Sequence, residues 1–274
     1  TFTIMKPLLT LLASLALALG VLLPASGQIA TFCRPVSDGD SIDRVELTAV
    51  YRMTYHFDPS DTATLVTDEV WLEIGKKMSK QYSRIMCDLD LKSEDGSVLL
   101  NTNEDVLPIV VYTGLPSADE VTVDYRLPLR APVMRYTEKR PRLDWQLGEE
   151  KREVAGKECQ VATCDFGGRH WTAWFAPDLP YPYGPYKLGG LPGLILELYD
   201  GEVDYHYTCI GFRMNGEPKM LEWKWDQKET TKEQLQKLVR SLYANTEATM
   251  KALGVSAKFG GDPMLDLPYN PIER

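Results

Sequence analysis

The sequence predicts a mainly β protein: a curved antiparallel sheet or half-barrel carrying one long amphipathic helix over about residues 231–253. Three observations predict it. Apolar residues recur with period two along most of the chain. The turns between these runs are short and glycine-bearing, which implies hairpins and therefore antiparallel pairing. A single segment near the C-terminus switches to helical spacing, and no strand–helix–strand rhythm calls for a parallel sheet.

The strands follow in order. Glu46 to Phe57 places Leu47, Ala49, Tyr51, Met53, Tyr55 and Phe57 on one face. Val70, Leu72 and Ile74 repeat the alternation, as do Val121, Val123, Tyr125 and Leu127. Trp145 to Leu147 and Glu149 to Glu153 lead through Val154-Ala155-Gly156-Lys157 into Cys159, Val161 and Thr163. After Phe166-Gly167-Gly168-Arg169, Trp171, Ala173 and Phe175 oppose Thr172, Trp174 and Ala176. Leu194, Leu196 and Leu198 turn at Tyr199-Asp200-Gly201-Glu202 into Val203, Tyr205, Tyr207 and Cys209. Glu94-Asp95-Gly96 makes a further turn. Glycine at these turns is expected to supply the positive φ of tight hairpins.

The helix begins at Thr231, whose capping box closes with Gln234. Leu235, Leu238, Val239, Leu242, Tyr243 and Met250 form its apolar stripe, and Gly254 suits its C-terminus. Asp262 to Arg274 holds three prolines and reads as an extended strap. Pro177 to Pro192 holds five prolines with Tyr181, Tyr183 and Tyr186 between them, so it reads as a long ordered loop.

The N-terminal segment reads as a secretory leader, residues 1–27, followed by a single β-rich domain over 28–274. Lys6 supplies the positive start, and Leu8 to Leu23 the apolar run. Pro24 and Ala25-Ser26-Gly27 give the small-residue cleavage pattern. The run is shorter than the ~20 residues of a spanning helix, and no later segment is apolar enough, so no transmembrane segment is expected after cleavage. Export to the periplasm or the outer-membrane periphery follows. The formal net charge of −9 argues against nucleic acid and anionic membrane surfaces as partners.

An oxidising compartment permits disulfides among Cys33, Cys87, Cys159, Cys164 and Cys209, and five leaves at least one unpaired. Cys159 and Cys164 lie in one predicted strand. At about 3.3 Å per residue they stand roughly 16 Å apart, against the ~4.4–6.8 Å of a disulfide. The odd spacing also points them to opposite faces, so they do not pair with each other.

At Gly190-Leu191-Pro192-Gly193-Leu194-Ile195 the chain resembles the GLPGLI proteins. Five further blocks carry the resemblance in order: Phe166 to Arg169, Trp171 to Phe175, Gly184-Pro185-Tyr186-Lys187, Ile195 to Leu198, and Asn270-Pro271-Ile272-Glu273. It is strongest over Trp145 to Phe212, and Cys159 stands where many members have cysteine. The resemblance implies export and an envelope location in a Gram-negative bacterium, and no reaction. At the level of fold, the chain is expected to be similar to the half-barrels of periplasmic lipoprotein carriers.

No catalytic motif is present: no nucleophile elbow, no His-Glu-x-x-His, no phosphate-binding glycine loop and no dinucleotide fingerprint. No catalytic residue, metal ligand or cofactor is therefore assigned. The residues singled out for contact with a ligand or partner are Arg169, Trp171, Trp174, Tyr181, Tyr183, Tyr186 and Lys187. Arg169 offers a bidentate fork for an anion, or a salt bridge to Asp165, Asp178 or Glu197. Trp171 and Trp174, three apart, face opposite sides, one into the core and one toward a groove or surface. The three loop tyrosines provide rigid contact area, or bury themselves under a strap. The leading expectation is a non-enzymatic binding protein for a peptide, a lipid or an outer-membrane partner. One alternative is a copper- or zinc-handling protein using Cys159, Cys164, Cys209, His170 and His206. The other is an enzyme of unrecognised type, with Arg169 and Asp178 as first candidates.

Overall fold

The computed structural model describes residues 31–32, 34–61, 63–92, 99–100, 106–127, 131–213, 218–254 and 266–274. The leader expected over 1–27, Cys33, the turn at Glu94 to Gly96 and the beginning of the C-terminal strap lie outside the described residues.

In chain order the elements are β1 (Thr31–Phe32), β2 (Gly39–Arg44), β3 (Leu47–His56), β4 (Leu65–Ile74), β5 (Ser79–Ser83), α1 (Arg84–Lys92), β6 (Leu99–Leu100), β7 (Ile109–Thr113), β8 (Glu120–Arg126), β9 (Val133–Lys139), β10 (Gln146–Val154), β11 (Lys157–Phe166), β12 (Arg169–Ala176), β13 (Leu194–Asp200), β14 (Tyr205–Arg213), β15 (Lys219–Trp223), β16 (Gln227–Glu229), α2 (Lys232–Ala244) and α3 (Thr246–Ala252). Twelve strands form one sheet in the order β10-β11-β12-β13-β14-β3-β4-β5-β7-β8-β9-β16, while β15 pairs with β2 and β1 with β6. The sheet does not close into a barrel. It is mixed rather than purely antiparallel, because β16 runs parallel to β9. Three residues, Lys224 to Asp226, join β15 to that strand, and Val133 N–H donates to the Asp226 carbonyl at 2.9 Å where the pairing begins.

Period-two alternation sorts the sheet into two packed faces. Ala49, Tyr51, Met53 and Tyr55 of β3, Val70, Leu72 and Ile74 of β4, and Leu194, Leu196 and Leu198 of β13 join the main core under α2 and α3. The opposite residues of the central strands, Val50, Trp71, Tyr82, Val110 and Tyr112, are buried too, against Trp223 of β15 and Cys87 of α1. These strands are therefore covered on both sides. Lys80, on this second face, lies 3.3 Å from the centroid of the Trp223 ring and donates to the Leu221 carbonyl at 2.8 Å.

Two turns form as the sequence predicts. Ala155-Gly156 (φ 50° and 74°) and Gly167-Gly168 (φ 60° and 75°) are two-residue hairpin turns with left-handed backbone at both positions. At the β13–β14 turn the expectation fails, for there Val203, not Gly201, holds the positive φ of 54°. The loop is longer than two residues, and Val203 N–H closes it onto the Asp200 carbonyl at 2.9 Å.

The single long helix expected over 231–253 is two helices. Thr231 and Gln234 do form the capping box at the start of α2. At Asn245 the backbone leaves helical space (φ −156°, ψ 89°), and the Asn245 side chain accepts from Ala248 N–H to cap α3. Asparagine competes for backbone hydrogen bonds, which is why it breaks the stripe here. A third helix, α1, was not expected. Nine residues with only Met86, Cys87 and Asp90 buried give too short a periodic signal.

Candidate functional site

An apolar cleft of about 120 Å³ opens between α2, the main-core face of the sheet and the C-terminal strap. Strand alternation delivers Tyr55, Val123, Tyr125, Tyr136 and Tyr205 to it from below, while the α2 stripe delivers Leu235, Val239 and Tyr243 from above. The walls are aromatic: Tyr55 stacks on Tyr205 at 5.5 Å, and Tyr243 on Tyr269 at 4.7 Å. The Tyr125 phenol makes no hydrogen bond within the described residues, and burial raises its pKa well above the ordinary value.

One wall is a buried ion network. Lys187 has no exposed side-chain area and contacts Tyr136 Oη at 2.9 Å, Glu273 at 2.5 Å, and Glu138. Lys232 reaches Glu273 and Glu138 from the first turn of α2. The Tyr186 hydroxyl donates to Glu273 Oε1 at 2.5 Å. Burial opposes both charges, yet the surrounding phenol and carboxylates hold Lys187 above its ordinary pKa, and the two lysines hold Glu273 below its own. Both groups are thus ionised at neutral pH. Tyr186 sits at φ 58°, a left-handed backbone that a bulky residue rarely adopts, and its N–H donates to Gln81 at 2.5 Å.

A second network lies under the end of the strap. Arg169 donates to Asp200 at 2.5 Å and Asp204 at 3.0 Å, and to Asn270 Oδ1 at 2.5 Å and the Pro271 carbonyl at 2.8 Å. Asn270 donates onward to the His56 carbonyl at 2.7 Å, and Tyr205 Oη donates to the Asn270 carbonyl at 2.5 Å. Arg274 pairs with Glu202 and Asp204. Gly167 and Gly168 let the strap pass, for a Cβ on Gly167 would stand 2.9 Å from Glu273 Cγ.

The structure thus gives each predicted residue a place. Arg169, Tyr186 and Lys187 come together on one structural partner, the segment Asn270 to Glu273. The salt bridge of Arg169 is to Asp200 and Asp204, not to Asp165, Asp178 or Glu197. Trp171 is in the core and donates to the Phe166 carbonyl at 3.0 Å. Trp174, on the other face, is covered by the Arg152 guanidinium at 4.0 Å rather than lining an open groove. Tyr183 is buried beneath Arg140, and Tyr181 is half-buried against the core. The proline–tyrosine loop therefore straps the sheet, and of its tyrosines only Tyr186 reaches the cleft. Tyr125, Tyr136, Glu138, Lys232 and Glu273 belong to the site and were not singled out. Glu273 alone carried a signal, as the last residue of the block Asn270 to Glu273.

Among the described residues the thiols and imidazoles form no group with metal-ligand spacing. Cys87, Cys159, Cys164 and Cys209 are free and buried, and burial pushes Cys87, Cys159 and Cys209 up to about 11 and Cys164 up to about 12. His170 pairs with Asp165, and His206 with Glu197, each at 2.8 Å. Among the described residues the one group with metal-ligand spacing is Asp200, Glu202 and Asp204, and its charge is met by Arg169 and Arg274. No helix among the described residues is long and apolar enough to cross a membrane.

No protein-family model matches the chain, and no curated protein matches it. Solved structures do. Two structures of PNGF-II, in space groups P21 and C2, superpose with TM-scores of 0.52 and 0.51 at 11% identity, covering 72% of this chain and 33% of the other. A crystal structure of MucB matches with a TM-score of 0.34 at 11% identity, over 69% of this chain and 60% of that one. The chain spans about a third of the PNGF-II chains it matches, and the likeness to them is one of fold.

Proposed function

We propose that this chain is an exported envelope protein of the GLPGLI type that holds one apolar side chain of a peptide or protein partner in the cleft beneath α2. The single observation that carries this reading is the aromatic cleft itself. Pockets that bind small groups are concave and mostly apolar, with a few polar groups at one side. This one offers tyrosine rings and aliphatic side chains, an unpaired Tyr125 phenol, and a polar wall at Lys232 and Glu273. Size chooses among apolar ligands. A cavity of roughly 150 Å³ accepts a benzene ring, so about 120 Å³ takes one branched aliphatic or aromatic-sized group and not an acyl chain along its length. Location at the envelope is supported by the leader-like N-terminus and the motif blocks.

Peptide-array screening of the purified protein tests it, with Gln236→Trp as the control. Gln236 lines the cleft and is half-exposed on α2, so an indole there fills the opening without entering the core. The expected result is binding of peptides that carry Leu, Ile or Phe, lost in the tryptophan variant while the melting temperature stays within a few degrees. Binding that Gln236→Trp leaves unchanged, or binding of fatty acids with none of peptides, would overturn the reading.

A further inference from the structure

A second groove, of about 520 Å³, lies where the end of β9 meets the proline–tyrosine loop. It is lined by Lys139, Arg140 and Arg142 on one side and by Asp119, Gly189 and Gly190 on the others. Three cations and one carboxylate give this lining a positive surplus in a chain of net charge −9. Lys139 forms its own ion-pair group with Asp119 at 2.9 Å and Glu120 at 3.4 Å. The two guanidinium groups carry the surplus that remains.

The arginines differ in how they are held. The Arg140 guanidinium donates to the Pro182 carbonyl at 2.8 Å and lies 5.4 Å from the Tyr183 ring centroid, so it is fixed in place. Its backbone N–H donates to the Asp119 carbonyl at 2.8 Å. Arg142 is exposed and has no hydrogen bond or ion pair with a described residue. Opposite them, Gly189 fits only as glycine, since a Cβ there would stand 2.9 Å from the Pro182 carbonyl oxygen and 3.2 Å from Arg140 Nη2. Gly190, at φ +88°, faces open space. Trp145 anchors this wall by donating to the Gly189 carbonyl at 2.9 Å. The result is a rigid groove with one pre-oriented and one free guanidinium.

We propose that this groove binds a phosphate monoester carried on a small organic body. Two forks, with one Arg140 N–H already given to Pro182, present up to nine further N–H donors in the planar geometry that matches phosphate oxygens. A phosphate monoester bears about −1.5 to −2 charge at pH 7, matched to two arginines. The groove volume lies within the ~300–1,000 Å³ of small-molecule sites and leaves room beyond the ion for its carrier. An acidic surface elsewhere on the molecule disfavours anions, so the groove focuses them locally.

The test is calorimetric titration of the purified protein with glycerol 3-phosphate, with glycerol as the uncharged comparison. Flotation with phosphatidylcholine vesicles, plain or carrying phosphatidic acid, follows. Glycerol 3-phosphate is expected to bind and glycerol not. Arg142→Gln is expected to weaken binding about tenfold, the scale of one charge-assisted contact, with the melting temperature unchanged. Arg142→Lys, which keeps charge but not the fork, is expected to recover only part. Binding to phosphatidic acid vesicles alone assigns the ester to a lipid headgroup, and binding to glycerol 3-phosphate alone assigns it to a soluble metabolite. No Arg142-dependent binding to either overturns the proposal.

Discussion

Glu273 shows how much rests on one carboxylate. It meets Lys187, Lys232 and the Tyr186 hydroxyl at once, with 6% of its side chain exposed. Removing one partner of a buried ion pair strands the other without solvent, and costs about 3 kcal/mol. Glu273→Gln is therefore expected to lower the unfolding free energy by about that much in urea titrations. Adding Lys187→Met to it should restore part of the loss, because the stranded ammonium is then gone. The buried thiols make a second prediction at this scale. Their folded pKa values, about 11 to 12, lie above the ~8.5 of an unfolded cysteine. Each thus contributes stability that is complete below pH ~8.5 and is lost as pH rises toward 11. Lys80 acts the other way, since burial lowers it to about 8 and the unfolded chain binds more protons above that pH. Four thiols outweigh one ammonium, so unfolding free energy measured under reducing conditions should fall from pH 8.5 to 11. Replacing Cys159 and Cys209 with alanine should flatten that slope.

Among the elements, the join between β12 and β13 is the most constrained. Gly193 sits where a Cβ would come within 2.3 Å of the Ala176 carbonyl oxygen, so the contact is with backbone and cannot yield by a rotamer change. This close approach lets Leu194 N–H reach the Leu179 carbonyl at 2.9 Å and Ile195 N–H the Tyr183 carbonyl at 3.1 Å, which fixes the strap to the strand. Gly193→Ala forces the two segments apart and should destabilise by about 1–3 kcal/mol. Hydrogen exchange should show the loss as faster exchange at Leu194 and Ile195, with the β3–β4 pair unaffected. The division at Asn245 belongs to this scale as well. Two short helices follow the sheet surface with a change of direction, so Leu235, Val239 and Leu242 of α2 and Met250 of α3 all remain in one core.

For the whole molecule, the C-terminal strap closes what the sheet leaves open. Asp266 to Arg274 supplies Asn270 to Arg169 and Tyr205, Glu273 to Lys187 and Lys232, and backbone to Gly167. Deleting residues 266–274 takes Glu273 from Lys187 and the Asn270 and Pro271 acceptors from Arg169, which leaves these buried cations with Glu138 and with Asp200 and Asp204, at a cost of several kcal/mol together. Against a total stability of about 5–15 kcal/mol, that loss is a large part of what the fold has. The truncated chain is expected to lose its cooperative thermal transition by circular dichroism, or to melt at least ~15 °C lower.

Sequence by itself determined the β class, eight of the strands (β3, β4, β8 and β10 to β14), two of the hairpin turns and the start of the terminal helical segment. Those depend on period, turn chemistry and capping, which are properties of neighbouring residues such as Val154 to Lys157 or Thr231 and Gln234. Tertiary structure alone decided the parallel pairing of β16, the burial of Tyr183 and Tyr186, and the site. Glu138, Lys187, Lys232 and Glu273 come from a strand, a loop, a helix and a strap, so no local pattern relates them. Arg169 was legible as a special residue, but its partners Asp200, Asp204 and Asn270 were not, because a salt bridge is chosen by distance in space. The physical reason is one of range: hydrophobic period and backbone preference act over a few residues, while charges buried together are selected by the packing that brings them within reach.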